Sequence, residues 1–290
     1  MPPKNWIWKK LPGITGRFND IIYSSPISIS PLNQDIFIYF GGDVQDLHKN
    51  MEQHADSKKY TEWSLENTAH ILSTNFPNKH LLIIRPSRIH VTKNASFSCF
   101  DNFVPSNDYG VPSFCPTYNG LKHLQALVKS CLENIKTCNE DKGSIDFSSS
   151  NIKLSLMGFS KGCVVLNQFL QEFYYYNNKP DSDIEVTNFI KLIESMWWLD
   201  GGHGGSKDTW ITNKHVLESF AKLKIEVHIQ VTPYQVYDSY RPWIGEEENH
   251  FCNILLSLGV PVQRILHFAD QKRSLELHFK VLNAIGSYNQ

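Results

Sequence analysis

Leu154-Ser155-Leu156-Met157-Gly158-Phe159-Ser160-Lys161-Gly162-Cys163-Val164-Val165-Leu166 is the stretch that decides the fold of this chain. An apolar, strand-like run passes straight into Gly-x-Ser-x-Gly, and a helix-like run follows at once. A serine on so sharp a strand-to-helix turn is pushed out of the backbone, where a base can reach it. The two glycines leave room for the turn and for close packing of the next helix. The pentapeptide alone recurs by chance, and its bland alternative is a buried turn whose serine caps the helix. The strand before Ser160 and the helix after it are what favour a nucleophile.

Outward from that turn, short apolar runs alternate with amphipathic ones. Residues 35–40 predict a strand ending at Gly41-Gly42, 63–76 a helix, 81–84 a strand and 120–137 a helix. The central strand over 152–157 delivers Ser160, and 163–176 is its helix. Strands follow over 196–199, 225–231 and 260–268, with helices over 186–194, 213–223, 246–258 and 275–285. One or two early strands fall in 21–29. Residues 138–150 read as a polar linker, and 87–119 have no clear period, which suits a lid or binding loop. This alternation predicts an α/β fold with a mostly parallel central sheet and helices on both faces. Active groups then gather at the carboxyl ends of the strands. The expected organisation is a basic N-terminal arm over 1–20 and a single domain over 21–290.

The composition excludes several function classes. The formal net charge of −1 over 290 residues gives no global field for nucleic acid or an anionic membrane. No stretch approaches the length of a membrane-spanning apolar run. The six cysteines form no Cys-x-x-Cys pair and no zinc-finger spacing, so they read as free thiols, which suits a reducing compartment. Residues 1–19 carry Lys4, Lys9, Lys10 and Arg17 with no acid, interleaved with Trp6, Ile7, Trp8, Leu11 and Ile14. That pattern is compatible with a short import segment, although three prolines oppose a long helix; a solvated basic arm is the alternative.

A serine hydroxyl is a weak nucleophile at neutral pH and needs a base, with a third group to orient that base. In the strand-turn-helix context the expected chain order is Ser, then Asp or Glu, then His. His278 lies past the last strand and can reach over the strand ends; His267 sits inside that strand and is the lesser candidate. Two acids follow strand ends. Asp238, one strand before the histidine, is preferred over Asp200, which directly precedes Gly201-Gly202 and doubles as a turn former. The developing oxyanion needs two backbone donors. One is the amide of Lys161, whose side chain reads as solvated surface. The other falls at Gly42 or Asp43, after the strand over 35–40. His203, in the loop Gly201-Gly202-His203-Gly204-Gly205, is a candidate substrate contact from the rim. No His-Glu-x-x-His or comparable metal set occurs, and the chemistry needs no cofactor.

Six segments carry a family resemblance: Gly42-Asp43-Val44-Gln45, Trp63-Ser64-Leu65-Glu66-Asn67, the run from Gly158 to Gln168, Trp198-Leu199-Asp200-Gly201-Gly202-His203, Val231-Thr232-Pro233-Tyr234-Gln235-Val236 and Trp243-Ile244-Gly245. On these the chain resembles the eukaryotic family typified by the mitochondrial protein of human chromosome 2 open reading frame 69. The resemblance implies an α/β-hydrolase-like fold, a mitochondrial rather than cytoplasmic location, and a triad at Ser160, Asp238 and His278. It carries no substrate. The expected function is a serine hydrolase cleaving an acyl ester or thioester of a small molecule or lipid, with 87–119 and Trp243 shaping an apolar acyl pocket. The competing expectation is a hydrolase-fold module that binds or regulates, through a protein partner, with little hydrolysis.

Overall fold

The computed structural model describes residues 5–28, 35–138, 152–179 and 183–288. The linker expected over 138–150 lies, beyond Cys138, outside these described residues.

Strand β3 (Ile36–Phe40) is apolar and buried along its whole length; β4 (His80–Ile84) and β7 (Leu154–Phe159) are buried throughout and apolar but for His80 and Ser155. Strands covered on both faces read as continuous apolar runs in this way. Together with β8 (Ile193–Leu199), β9 (Glu226–Val231) and β10 (Val262–Leu266) they form six parallel strands in the order β4-β3-β7-β8-β9-β10. Two further strands extend the β4 side antiparallel: β2 (Phe18–Ser24) pairs with β4, and β1 (Asn5–Pro12) with β2. The segment expected to be a basic arm therefore carries the edge strand of the eight-stranded sheet. Trp6 and Trp8 stack on Tyr23 of β2, and this aromatic packing anchors the basic stretch.

Side chains alternate across the sheet and build two cores. Ile36, Ile38 and Phe40 face one layer, with α3 (Gly120–Cys138), α4 (Cys163–Asn178), α5 (Ile184–Ile190), α6 (Lys214–Ala221) and α8 (Trp243–Ser257). Phe37 and Tyr39 face the other, with α2 (Leu65–Asn75) and α9 (Leu275–Ala284). Helices thus cover both faces, and the sheet is mostly parallel, as expected. Two short helices, α1 (His48–Met51) and α7 (Pro233–Val236), sit in the loops after β3 and β9. The aperiodic region over 87–119 contains a separate two-stranded ribbon, β5 (Arg88–Val91) and β6 (Ser96–Cys99). Among the described residues no helix is long and apolar enough to cross a membrane.

Helix α4 is tied to its neighbour by a buried carboxylate. Glu172 accepts hydrogen bonds from the Gly120 and Leu121 amides at the start of α3 and from Gln168 Nε2, each at 2.8 Å. These meet amides that have no acceptor inside α3. Burial pushes the Glu172 carboxyl up to about 7. Its unfolded counterpart titrates at the ordinary value of 4.5, so the stability it contributes is complete below that pH and is lost as pH rises through 7. The loss is on the order of 3 kcal/mol. Urea unfolding of the wild type and Glu172→Gln between pH 5 and pH 8 checks this. The wild type should lose stability relative to the variant across that window, and parallel curves would contradict it.

Candidate active site

β7 runs in the middle of the sheet and delivers Ser160 at its carboxyl end. Ser160 is 8% exposed and has φ of 51°, a left-handed conformation that costs a non-glycine residue roughly 1–3 kcal/mol. It opens the 3-10 turn Ser160–Gly162 that leads into α4. That turn is pressed against the end of β3: a Cβ on Gly162 would overlap the Phe40 carbonyl oxygen. The loop after β3 approaches as closely, since a Cβ on Gly42 would lie 2.9 Å from Ser160 Cβ.

The loop after β3 is organised by Gln45, which is 1% exposed. Its Oε1 accepts from the Gly42 amide and the Tyr39 hydroxyl, each at 2.9 Å, and its Nε2 donates to Trp63 O at 2.8 Å and Thr68 Oγ1 at 3.0 Å. The Gly42 amide is therefore committed to Gln45. Of the two expected oxyanion donors in this loop, the geometry leaves Asp43. The Lys161 amide lies in the first turn of its helix, where no intrahelical acceptor exists.

The Lys161 side chain is not solvated surface. It is 1% exposed, and its Nζ donates to Tyr109 O at 2.6 Å and lies 3.2 Å from Asp43 Oδ2 and 5.6 Å from the Phe97 ring centroid. Asp43 Oδ1 in turn accepts from the Ser98 amide at 2.8 Å. The region over 87–119 folds across this ammonium, a long-range burial that no local pattern encodes. Between β5, β6 and the loop after β3 lies a cavity of about 320 Å³. Val44, Gln45, Ser57, Ile89 and Ser98 line it; Ser160 and His278 do not.

His278 stands one turn into α9, which Ser274 caps through its side chain. The ring is 3% exposed and packs against Phe159 and Tyr234, with centroids 4.6 and 4.8 Å away. Its Nδ1 lies 2.7 Å from Asp200 Oδ2. Asp200 is fully buried at the end of β8, with φ of 46°. Its Oδ1 accepts from the Thr232 amide at 2.8 Å and its Oδ2 from Thr232 Oγ1 at 2.6 Å. Because the carboxylate only accepts, Nδ1 carries the proton and Nε2 is left as the basic nitrogen. Among the described residues no hydrogen bond joins Ser160 Oγ to His278. In hydrolytic sites that bond commonly tightens only in the substrate complex.

Asp238, the acid preferred from chain order, is not the partner of His278. It accepts from Arg241 Nε at 2.8 Å and the Tyr240 amide at 2.9 Å, and it forms an ion pair with Arg273 Nη2 at 3.0 Å. Burial pulls its carboxyl upward, but the Tyr240 amide and the two arginines outweigh that and hold it below the ordinary carboxylate range. Helix α7 follows β9 directly and carries the chain past the strand end before Asp238 is reached. Asp200 sits at the very end of its strand.

Both ring nitrogens of His203 face backbone groups of its own loop. Its Nδ1 accepts from the Gly205 amide at 3.0 Å and its Nε2 lies 3.3 Å from Asp208 O, while burial lowers its pKa to about 4. His267, just past β10, pairs with Gln230 Oε1 at 2.6 Å. Sequence reasoning missed the roles of Gln45, Thr232 and the Lys161 ammonium; polar residues immediately after strands were the one available signal. Among the described residues no group of His, Cys, Asp and Glu is arranged to hold a metal ion.

The chain matches the family model described as C2orf69 over residues 8–152 and 137–261. A mouse protein named mitochondrial protein C2orf69 homolog is 41% identical, over 87% of this chain and 78% of its own length. The human mitochondrial protein C2orf69 is 38% identical over 87% of this chain and 74% of its own. Two structures of the esterase Est22, the second with p-nitrophenol, superpose with TM-scores of 0.50 and 0.52 at 13% identity. They cover 99% of this chain and 79% and 80% of theirs, and the likeness is one of fold, an α/β-hydrolase.

Gly42→Ala tests the close approach of the two turns. The new Cβ would crowd Ser160 Cβ and, at 3.1 Å, the Phe159 ring. The expected cost is about 1–3 kcal/mol. It is read as a lower urea midpoint, and an unchanged midpoint would contradict the packing.

Proposed function

This chain belongs to the C2orf69 family of mitochondrial proteins, and from that premise we propose that it is a serine hydrolase of acyl esters or thioesters. The observation that carries the reading is the 2.7 Å pairing of His278 with Asp200, with the His278 ring packed on Phe159, next in the chain to a serine held at φ of 51° on a strand-to-helix turn. These are the groups a Ser-His-Asp triad needs, in the chain order Ser, Asp, His.

In this mechanism Ser160 Oγ attacks the acyl carbon as its proton passes to His278 Nε2. The carbonyl oxygen becomes an oxyanion held by the amides of Lys161 and Asp43. His278 returns the proton to the departing alcohol or thiol as the acyl–heteroatom bond breaks, leaving an acyl ester on Ser160. Water, deprotonated by the same nitrogen, then releases the acid and restores the serine. Asp200 keeps the Nδ1 proton in place and stabilises the imidazolium; Thr232, with two hydrogen bonds, fixes Asp200. Gln45 is a positioning residue, since it sets the turn on which the Asp43 amide lies.

Labelling with a fluorophosphonate tests this. The native protein should label once, at Ser160, and Ser160→Ala should not label at all. A folded native protein that resists labelling would contradict the hydrolase and favour a binding module.

The two acids separate in the same assay. Asp200→Asn should slow labelling by about 10³-fold or more, because the wrong imidazole tautomer then dominates. Asp238→Asn should change it by less than about tenfold, as expected for an indirect effect through its arginines. The reverse order would return the acid role to Asp238.

A further inference from the structure

Asp238 holds two arginines at the rim of the site, and their geometry goes beyond structural pairing. Arg273 Nη2 is fixed by Asp238 and by Tyr234 O at 2.9 Å, and its guanidinium lies 5.1 Å from the Tyr234 ring centroid. That same ring packs on His278 at 4.8 Å. Arg241 is fixed by Asp238 and, at 3.3 Å, by Gln235 Oε1. Gln235 fills the space beside Gly202, whose amide donates to Ser160 O at 3.3 Å. One arginine is thus a single ring away from the candidate base, and the other reaches the nucleophile's backbone through Gln235 and Gly202.

Two guanidinium charges face one carboxylate, so this cluster keeps one positive charge unneutralised. Each guanidinium has five N–H donors. Among the described residues no partner is taken by Nη1 of either arginine, and Arg273 Nε is buried with none. Both side chains stay partly accessible, at 29% and 33% of their surface, yet Arg241 is held at Nε and Nη2 and Arg273 at Nη2 by two partners. A pre-fixed, partly desolvated pair of forks with spare donors is what binds a carboxylate or phosphate bidentately.

We propose that Arg241 and Arg273, braced by Asp238, form a subsite for an anionic group, a carboxylate or a phosphate monoester, borne by the ester that Ser160 cleaves. This rests on the hydrolase reading, but the site is defined by binding and can be tested apart from it. It replaces the expectation of a purely apolar acyl pocket with a substrate that carries charge near the scissile bond.

The test has a binding arm and a kinetic arm. Thermal unfolding of the full chain is followed in glutarate, in inorganic phosphate and in chloride at matched ionic strength. Glutarate or phosphate should raise the melting temperature of both the wild type and Ser160→Ala above the chloride value. The stronger of the two names the anion class. Arg241→Gln and Arg273→Lys, the latter keeping the charge but losing the fork, should abolish the increment. In the kinetic arm, 4-nitrophenyl hydrogen glutarate is compared with its methyl-capped neutral analogue. The wild type should favour the anionic ester by about tenfold or more in kcat/KM, mainly through KM, and either arginine variant should bring that ratio to near unity.

No anion-specific stabilisation in the wild type, or an increment that survives both arginine substitutions, overturns the subsite. So does hydrolysis of both esters at equal efficiency. Anion stabilisation that depends on the arginines, in a protein whose Ser160 neither labels nor cleaves, leaves the subsite standing and removes the hydrolase reading instead.

Discussion

The site depends on one steric constraint: two backbone turns, at the ends of neighbouring parallel strands, are packed too closely for side chains between them. Gly162 lies against the Phe40 carbonyl and Gly42 against Ser160. That contact brings the loop after β3 beside Ser160, the serine proposed as nucleophile. It also fixes Ser160 in a left-handed conformation that an isolated chain would avoid. The strain is carried by fully buried strands on either side, β3 and β7, which pair residue for residue from Ile36 with Leu154 to Phe40 with Gly158.

Around that contact the polar groups form closed, buried sets. Gln45 meets four partners with one amide, and Asp200 meets Thr232 twice and His278 once. Polar groups buried at this depth would be costly if left unpaired. Each set is therefore a structural necessity, and in the proposed mechanism it also positions a reacting group. The same logic separates the two carboxylates. Asp200 is buried with the imidazole as a partner, while Asp238 is buried with two guanidiniums. Their surroundings, more than their positions in the chain, give them different work.

Much of this was legible in the sequence, for identifiable reasons. Buried parallel strands leave nearly unbroken apolar runs, so residues 35–40 and 81–84 announced themselves, and 225–231 did so by alternating apolar positions. The elbow at Ser160 was visible because it joins a strand pattern to a helix pattern through two glycines. His278 followed from needing to lie beyond the last strand. Strand β1 was hidden because an edge strand need bury only one face, and its lysines read as a solvated arm. The pairing of His278 with Asp200 rather than Asp238 was not legible because chain order counts strands and does not see that α7 carries Asp238 away from the strand end. The Lys161 ammonium was invisible because its partners, Asp43 and Tyr109, lie more than fifty positions away in the chain.

In the proposed mechanism Ser160, His278 and Asp200 act together, with the Lys161 and Asp43 amides facing one oxygen. A crystal structure of the chain after reaction with a fluorophosphonate tests it most directly. The expected structure has a phosphorus–Oγ bond at Ser160, the phosphoryl oxygen within hydrogen-bond distance of both amides, and His278 Nε2 turned toward Oγ with Nδ1 still on Asp200. A phosphoryl oxygen directed away from those amides, or a His278 whose Nδ1 has left Asp200 for another acceptor, would contradict it.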